Sequence, residues 1–189
     1  VIEVAIPGLD ELMLDRDGGF LVLTYEFRED LNKYLDQHPS APVRSLKEIV
    51  QSGKYHPKMA SRLHERQNSL PTETPEYSEI LLKRVVLKRA VLQLMAENDL
   101  DVLAYPTIRQ IAVPLGEDQE GSNCHLSANS GLPSITVPAG FVEEGLPVGL
   151  EFLGRAWGEG LLIELAYAYE QFSHHRLSPG STPPLRDHE

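Results

Sequence analysis

The sequence predicts an α/β layered domain in which a mixed sheet is flanked by helices. Three observations predict it. Strand and helix patterns follow one another in the order strand, helices, strand, strand, helix. The 189 residues are 41% apolar, enough to bury a sizeable core. No internal repeat or low-complexity linker divides the chain. Strand content is nevertheless low for a complete sheet of this kind.

The opening VIEVAI, residues 1–6, alternates in the manner of a strand already under way. It starts on Val1 rather than methionine, so either a longer chain was cut or a leader was removed. In Gly19–His38, Leu21, Leu23, Tyr25, Leu31, Tyr34 and Leu35 recur at three- and four-residue spacings with charges between them, predicting an amphipathic helix. SLKEIVQSG offers Ser45 as N-cap, Glu48 three residues on and Gly53 as the stop, which predicts a short capped helix. Residues 54–74 are polar and interrupted by prolines, and read as a surface excursion with a short helix inside. Thr74 as N-cap and Pro75 at the first helical position open the longest helical pattern, ending near Asp99. Its Lys83, Arg84, Lys88 and Arg89 form a basic stripe that reads as a solvated or interdomain face rather than a ligand site.

DVLAYPTI, residues 101–108, predicts a strand stopped by Pro106. In GLPSITVPAGF, residues 131–141, Pro133 and Pro138 are expected to confine a strand to Ser134–Val137, because proline donates no ladder hydrogen bond. Pro138, Ala139 and Gly140 are then expected to turn the chain away, and Gly131 to allow a sharp turn or close backbone approach. EEG turns at Gly145 into a strand over Pro147–Arg155. The last helix should lay Leu161, Leu165, Ala168 and Phe172 on the sheet, and the proline-rich tail 176–189 should be extended.

A formal net charge of −11 argues against nucleic-acid and anionic-membrane partners, which require excess lysine and arginine. No apolar run reaches the roughly 18 residues of a spanning helix. The single cysteine, Cys124, excludes an internal disulfide and fits a reducing compartment, so a cytoplasmic location is expected.

The sequence contains no phosphate-binding loop, dinucleotide fingerprint or HExxH motif, and the histidines lack ligand spacing, so no cofactor or metal is implied. His174 and His175 read as capping residues after the last helical turn. Two candidates for chemistry remain. Cys124 beside His125 could pair as thiolate and base, although sequence neighbours usually point apart and a lone cysteine usually packs as a small hydrophobe. The run Ser122–Ser130 is dominated by groups that donate or accept hydrogen bonds, and would either line a polar pocket or form an ordinary surface loop.

DVLAYPTIRQIA, NSGLPSITVPAGF, GLPVGLEFLGRAWGEGLLIELAYAYEQ and HHRLSPGSTPPL, in that order and at these separations, resemble the C-terminal half of the amidase signature family. DLNKYLDQHPSAPVRSLKEIVQSGKYHP resembles the segment that follows the family's catalytic core. The resemblance implies an α/β/α fold and hydrolysis of a carboxamide, or passage of its ammonia to an acceptor. It implies a serine nucleophile, a second serine in a cis peptide that relays a proton, a lysine base, and an oxyanion hole of backbone amides. The family's Gly/Ser-rich run is missing here: QSGK, EGSN, NSGL and PGST each hold a single Ser/Gly contact. Lysines 33, 47, 54, 58, 83 and 88 lie in segments matching noncatalytic parts of the family. No catalytic residue is carried over.

The resemblance thus implies that residues 1–189 are the C-terminal portion of one amidase domain, with an incomplete sheet. In the family the segment before SGLP lies along the substrate pocket, which makes Asn123, His125, Ser127 and Asn129 expected substrate contacts, with Thr107 a further one. The expected partners are a small-molecule amide substrate and the missing N-terminal amidase part, with a homo-oligomer left open. The isolated chain is expected to be inactive and to associate through uncovered apolar surface. A noncatalytic amidase-like scaffold or binding module, one component of an amidotransferase, or an independent hydrolase using Cys124 or a serine of this chain are the competing readings.

Overall fold

The computed structural model describes residues 1–12 and 21–182. The chain is α/β and divides into two compact units, Val1–Ala90 and Val91–Glu189. Gly19 and Phe20, which open the second expected element, and residues 183–189 of the tail lie outside the described residues.

The first unit is helical. After the short α1 (Leu9–Leu12) come α2 (Leu21–Asp36), α3 (Leu46–Ser52), a single 3-10 turn (Pro57–Met59) and α4 (Ala60–Gln67). Leu35, Leu46 and Leu63, one from each of α2, α3 and α4, are buried where these helices pack together. The predicted cap of α3 forms: Ser45 Oγ accepts from the Glu48 amide at 3.2 Å, and the Glu48 carboxylate accepts from the Arg44 amide at 2.8 Å. Asn32 on α2 accepts from the Leu46 amide at 2.9 Å, satisfying another of the helix's orphan donors. Arg28 donates to the carbonyls of Gln67 and Ser69, and the Arg66 guanidinium lies 4.6 Å from the Phe27 ring centroid, so α2 grips the end of α4.

Val1–Ile6 is not a strand. Alternation supplies the pattern of a strand but not its partner, and no described strand pairs with this segment.

The long helix α5 (Pro75–Glu97) starts as predicted, with Thr74 Oγ1 accepting from the Tyr77 amide at 3.4 Å and Pro75 at the first position. Within the first unit, the Tyr77 ring packs against Tyr25, with centroids 5.5 Å apart and planes tilted by 41°, and its hydroxyl donates to Glu26. The helix ends in a Schellman turn. Asp99 takes a left-handed conformation (φ 51°), and the Leu100 amide donates to the Met95 carbonyl at 2.8 Å.

The second unit holds β1 (Leu103–Pro106), α6 (His125–Ser130), β2 (Ser134–Phe141), β3 (Pro147–Leu153) and α7 (Glu159–Ser173). The strands lie in the order β1-β3-β2, and β3 pairs antiparallel with both neighbours. The register sets Tyr105 and Thr136 on either side of Glu151, and Ile135 beside Phe152. Residues opposite each other in an antiparallel pair share a face, so Tyr105, Glu151 and Thr136 lie on one face with Leu103 and Leu153, and Ile135 and Phe152 on the other. The Ile135, Val137 and Phe152 face receives α7, with Tyr169 packing edge-on to Phe152 at 5.9 Å.

Two expectations fail here. β2 does not stop at Val137; it runs through Pro138 to Phe141. The register shifts between Pro138 and Gly140, where Gly140 adopts φ +123°, and pairing resumes through Gly140–Val148 and Phe141–Pro147. A bulge on a strand that, among the described strands, pairs on one side accommodates a residue that cannot donate. The second correction concerns α7. Leu162 and Ala166 are buried, whereas Leu161 is 41% and Phe172 89% exposed, so the expected Leu161, Leu165, Ala168, Phe172 stripe is rotated by about one residue. Gly154 fixes that rotation. A Cβ there would lie 3.1 Å from Leu162 Cγ, so the absent side chain is the hollow that Leu162 fills. His174 caps α7 as expected, in a left-handed conformation with its amide donating to Glu170.

Gly149 on β3 is tightly enclosed. A Cβ there would lie 2.8 Å from Thr107 Oγ1 and 3.0 Å from Thr136 Cγ2. Gly149→Ala is expected to destabilise the protein by about 1–3 kcal/mol in denaturant titration, and Thr107→Ala in the same chain to recover part of that loss. In the first unit, the hydrogen bond to Glu26, then burial, pushes the Tyr77 phenol from 10.0 up to about 12. A raised folded-state pKa gives stability that is complete below pH 10 and lost as pH rises toward 12. Melting temperature should therefore fall across that window, and Tyr77→Phe should make the fall shallower.

Candidate functional site

The site residues expected from the sequence fall around the end of β1 and along α6. Thr107 follows β1 directly, and three of its groups are engaged. Its amide donates to the Gly149 carbonyl at 3.0 Å, its hydroxyl donates to Thr136 Oγ1 at 3.3 Å, and its carbonyl accepts from the Asn123 amide at 3.1 Å. Asn123 Nδ2 donates to the Pro106 carbonyl at 2.7 Å. Ile108 bridges Ser122, and the Arg109 amide donates to Gly121 at 2.9 Å. The segment between is thereby closed into a loop, within which Gln119 accepts from the Val113 amide and donates to the Ile111 carbonyl.

The structure thus brings Thr107 and Asn123 together and seats the start of α6 against the end of β1. The polar run Ser122–Ser130, expected either to line a pocket or to form a surface loop, contains this six-residue helix, a feature that its small polar composition does not announce. Gly131 ends it with φ +65° and its amide on the Ser127 carbonyl at 2.9 Å. No atom lies within 4 Å of where its Cβ would be, so the glycine serves the left-handed cap and not a close approach.

Along α6, Leu126 and Ser130 form the buried side. Ser127 lies about 100° one way round the helix from Leu126 and His125 about 100° the other way. His125 and Asn129, four residues apart, share the second flank. Ser127 stands apart from them, and its hydroxyl turns back to the Cys124 carbonyl at 3.1 Å. Cys124 is exposed, and Ser122 Oγ donates to its sulfur at 3.0 Å.

Sequence reasoning misses one pair. Glu151, 3% exposed at the centre of β3, accepts a hydrogen bond from the Tyr105 hydroxyl at 2.9 Å. Burial, then the charge and hydrogen bond of Glu151, and finally the Cys124 thiol nearby, hold the Tyr105 phenol in its neutral form well above the usual tyrosine range. The signal in the sequence is a single charge inside the apolar strand PVGLEFL. Chemically, the neighbourhood provides fixed hydroxyl, amide and imidazole groups on a rigid strand end and helix, an arrangement suited to holding a polar ligand group. Among the described residues, no group of three or more His, Cys, Asp or Glu side chains could hold a metal ion, and no helix is long and apolar enough to cross a membrane.

A family model described as Amidase matches residues 1–163. A probable amidase of Arabidopsis thaliana is 30% identical over 180 residues, covering 93% of this chain and 33% of the relative. A glutamyl-tRNA(Gln) amidotransferase component from Desulforudis audaxviator is 37% identical over 116 residues, covering 57% of this chain and 23% of the relative. Among solved structures, the native peptide amidase of Stenotrophomonas maltophilia superposes with a TM-score of 0.80 at 33% identity, over 93% of this chain and 37% of that one. The chain spans about a quarter to a third of these curated relatives' length. The motifs around β1, α6, the β2–β3 hairpin and α7 thus lie in a chain matched across most of its length, and the protein belongs to the amidase family.

Proposed function

We propose that this chain is the C-terminal, substrate-pocket-contributing part of an amidase that hydrolyses a carboxamide C–N bond to an acid plus ammonia or an amine. The observation that carries the reading is the likeness to a peptide amidase over 93% of this chain but 37% of that protein. The missing Gly/Ser-rich run supports the same reading, in which the nucleophile lies in sequence outside these 189 residues. In that reaction a serine oxygen attacks the amide carbonyl, the tetrahedral intermediate expels the amine with a proton, and water then cleaves the acyl-enzyme to release the acid. Both compact units would belong to one amidase domain, with the rest of that domain as the partner of this chain. A cytoplasmic location fits the exposed free thiol of Cys124.

Thr107, Asn123, His125, Ser127 and Asn129 would contact the group attached to the scissile amide. His125 and Asn129, on one flank of α6, would act together. Ser127 would act apart from them, because it stands on the other flank of α6. The amidotransferase reading is supported by 37% identity to a component of such an enzyme, but over 57% of the chain, and the longer match to amidases favours hydrolysis.

The test has two parts. The 189-residue polypeptide alone should hydrolyse no amide; hydrolysis abolished by Cys124→Ala would replace this reading with an independent cysteine hydrolase. In the whole enzyme, His125→Ala and Asn129→Ala should each change the ratio of kcat/KM between two amides by about tenfold, the worth of one hydrogen bond. Unchanged ratios for both would remove them from the pocket.

A further inference from the structure

The Glu151 carboxylate is almost completely buried in the middle of the sheet, and among the described residues it has no ion-pair partner. Burying a carboxylate costs several kcal/mol unless strong partners compensate. The partner it has is the Tyr105 hydroxyl, directly across the strand pair, in a charge-assisted bond. The place where this bond sits is informative. Pro106 follows Tyr105 and pairs with Leu150 at a position where the backbone N faces away from β3, so the proline costs the ladder no bond; the next ladder bond runs from the Thr107 amide to the Gly149 carbonyl at 3.0 Å. Immediately beyond Tyr105 come the two carbonyls that carry α6: Pro106 O receives Asn123 Nδ2, and Thr107 O receives the Asn123 amide.

We propose that Tyr105 and Glu151 are positioning residues: their bond reinforces the β1–β3 pairing immediately before Pro106 and Thr107, fixes the two carbonyls that hold Asn123, and so sets where α6 and its polar flank stand. They act through Thr107 and Asn123 and touch no substrate. Because the Tyr105 phenol resists ionisation, the donor persists through the neutral and mildly alkaline range. The structural half stands on the geometry alone. The kinetic half rests on the amidase reading above.

Residue-resolved amide hydrogen exchange tests the structural half. The reporters are the Thr107 and Asn123 amides, and the Gly154 amide, bonded to Pro133 at the far end of β3, is the control for unfolding of the whole unit. Tyr105→Phe and Glu151→Leu should speed exchange at both reporters about tenfold or more relative to Gly154, whereas Glu151→Gln, which keeps an acceptor for the phenol, should stay within about twofold of the parent. Equal rates in parent and variants, or acceleration of Gly154 to the same degree, would overturn the proposal.

In the whole amidase, the two disruptive variants should raise KM about tenfold with kcat changed less than about threefold, and Glu151→Gln should restore KM. Faster exchange with an unaltered KM would overturn the link to substrate. Absence of any amide hydrolysis by the unmodified whole protein would sink the amidase reading instead, and the exchange experiment would still decide the positioning role.

Discussion

β3 pairs on both edges, with β1 on one side and β2 on the other, and the second unit depends on that arrangement. Strand alternation then assigns each β3 residue a task. Phe152 faces α7 with Ile135 beside it, while Gly149 and Glu151 face the other way toward Thr107, Thr136 and Tyr105. One strand therefore anchors the apolar layer and the polar strand end together. A slip of one residue would exchange the faces, burying Phe152 among hydroxyl groups and presenting Glu151 to the helix. Gly149 makes the polar side compact enough for two threonine hydroxyls to meet across β3, and the Tyr105–Glu151 bond reinforces the β1–β3 pairing beside them.

The features legible in the sequence are those whose cause is local. Ser45, Glu48 and Gly53 announce α3, Thr74 and Pro75 announce α5, and Gly145 announces the β2–β3 turn, because caps and turns are decided within a few residues. The features that escape sequence reading depend on partners distant in the chain. Val1–Ile6 has the alternation of a strand but no described strand to pair with. The rotation of α7 is set by the hollow at Gly154. Pro138 reads as a stop when its lost N–H is weighed without the bulge that Gly140 permits.

The candidate site follows the same division. Asn123, His125, Ser127, Asn129 and Thr107 stand out by their chemistry and a family resemblance, and the structure joins the first and last of them through backbone and side-chain hydrogen bonds. That α6 is a helix, with Ser127 on a different flank from His125 and Asn129, is not legible in a run of small polar residues. The Tyr105–Glu151 pair spans 46 positions, and only the register of the sheet brings the two together.

The central claim is a division of labour: this chain shapes part of an amidase pocket while the reactive serine lies elsewhere in the same enzyme. It is tested most directly by treating the whole protein that carries this chain with a serine-reactive fluorophosphonate and mapping the modified peptide by mass spectrometry. The account predicts covalent modification outside Val1–Glu189, with loss of amide hydrolysis in proportion to labelling. Stoichiometric, inactivating modification of a serine within Val1–Glu189, or of Cys124, would contradict it.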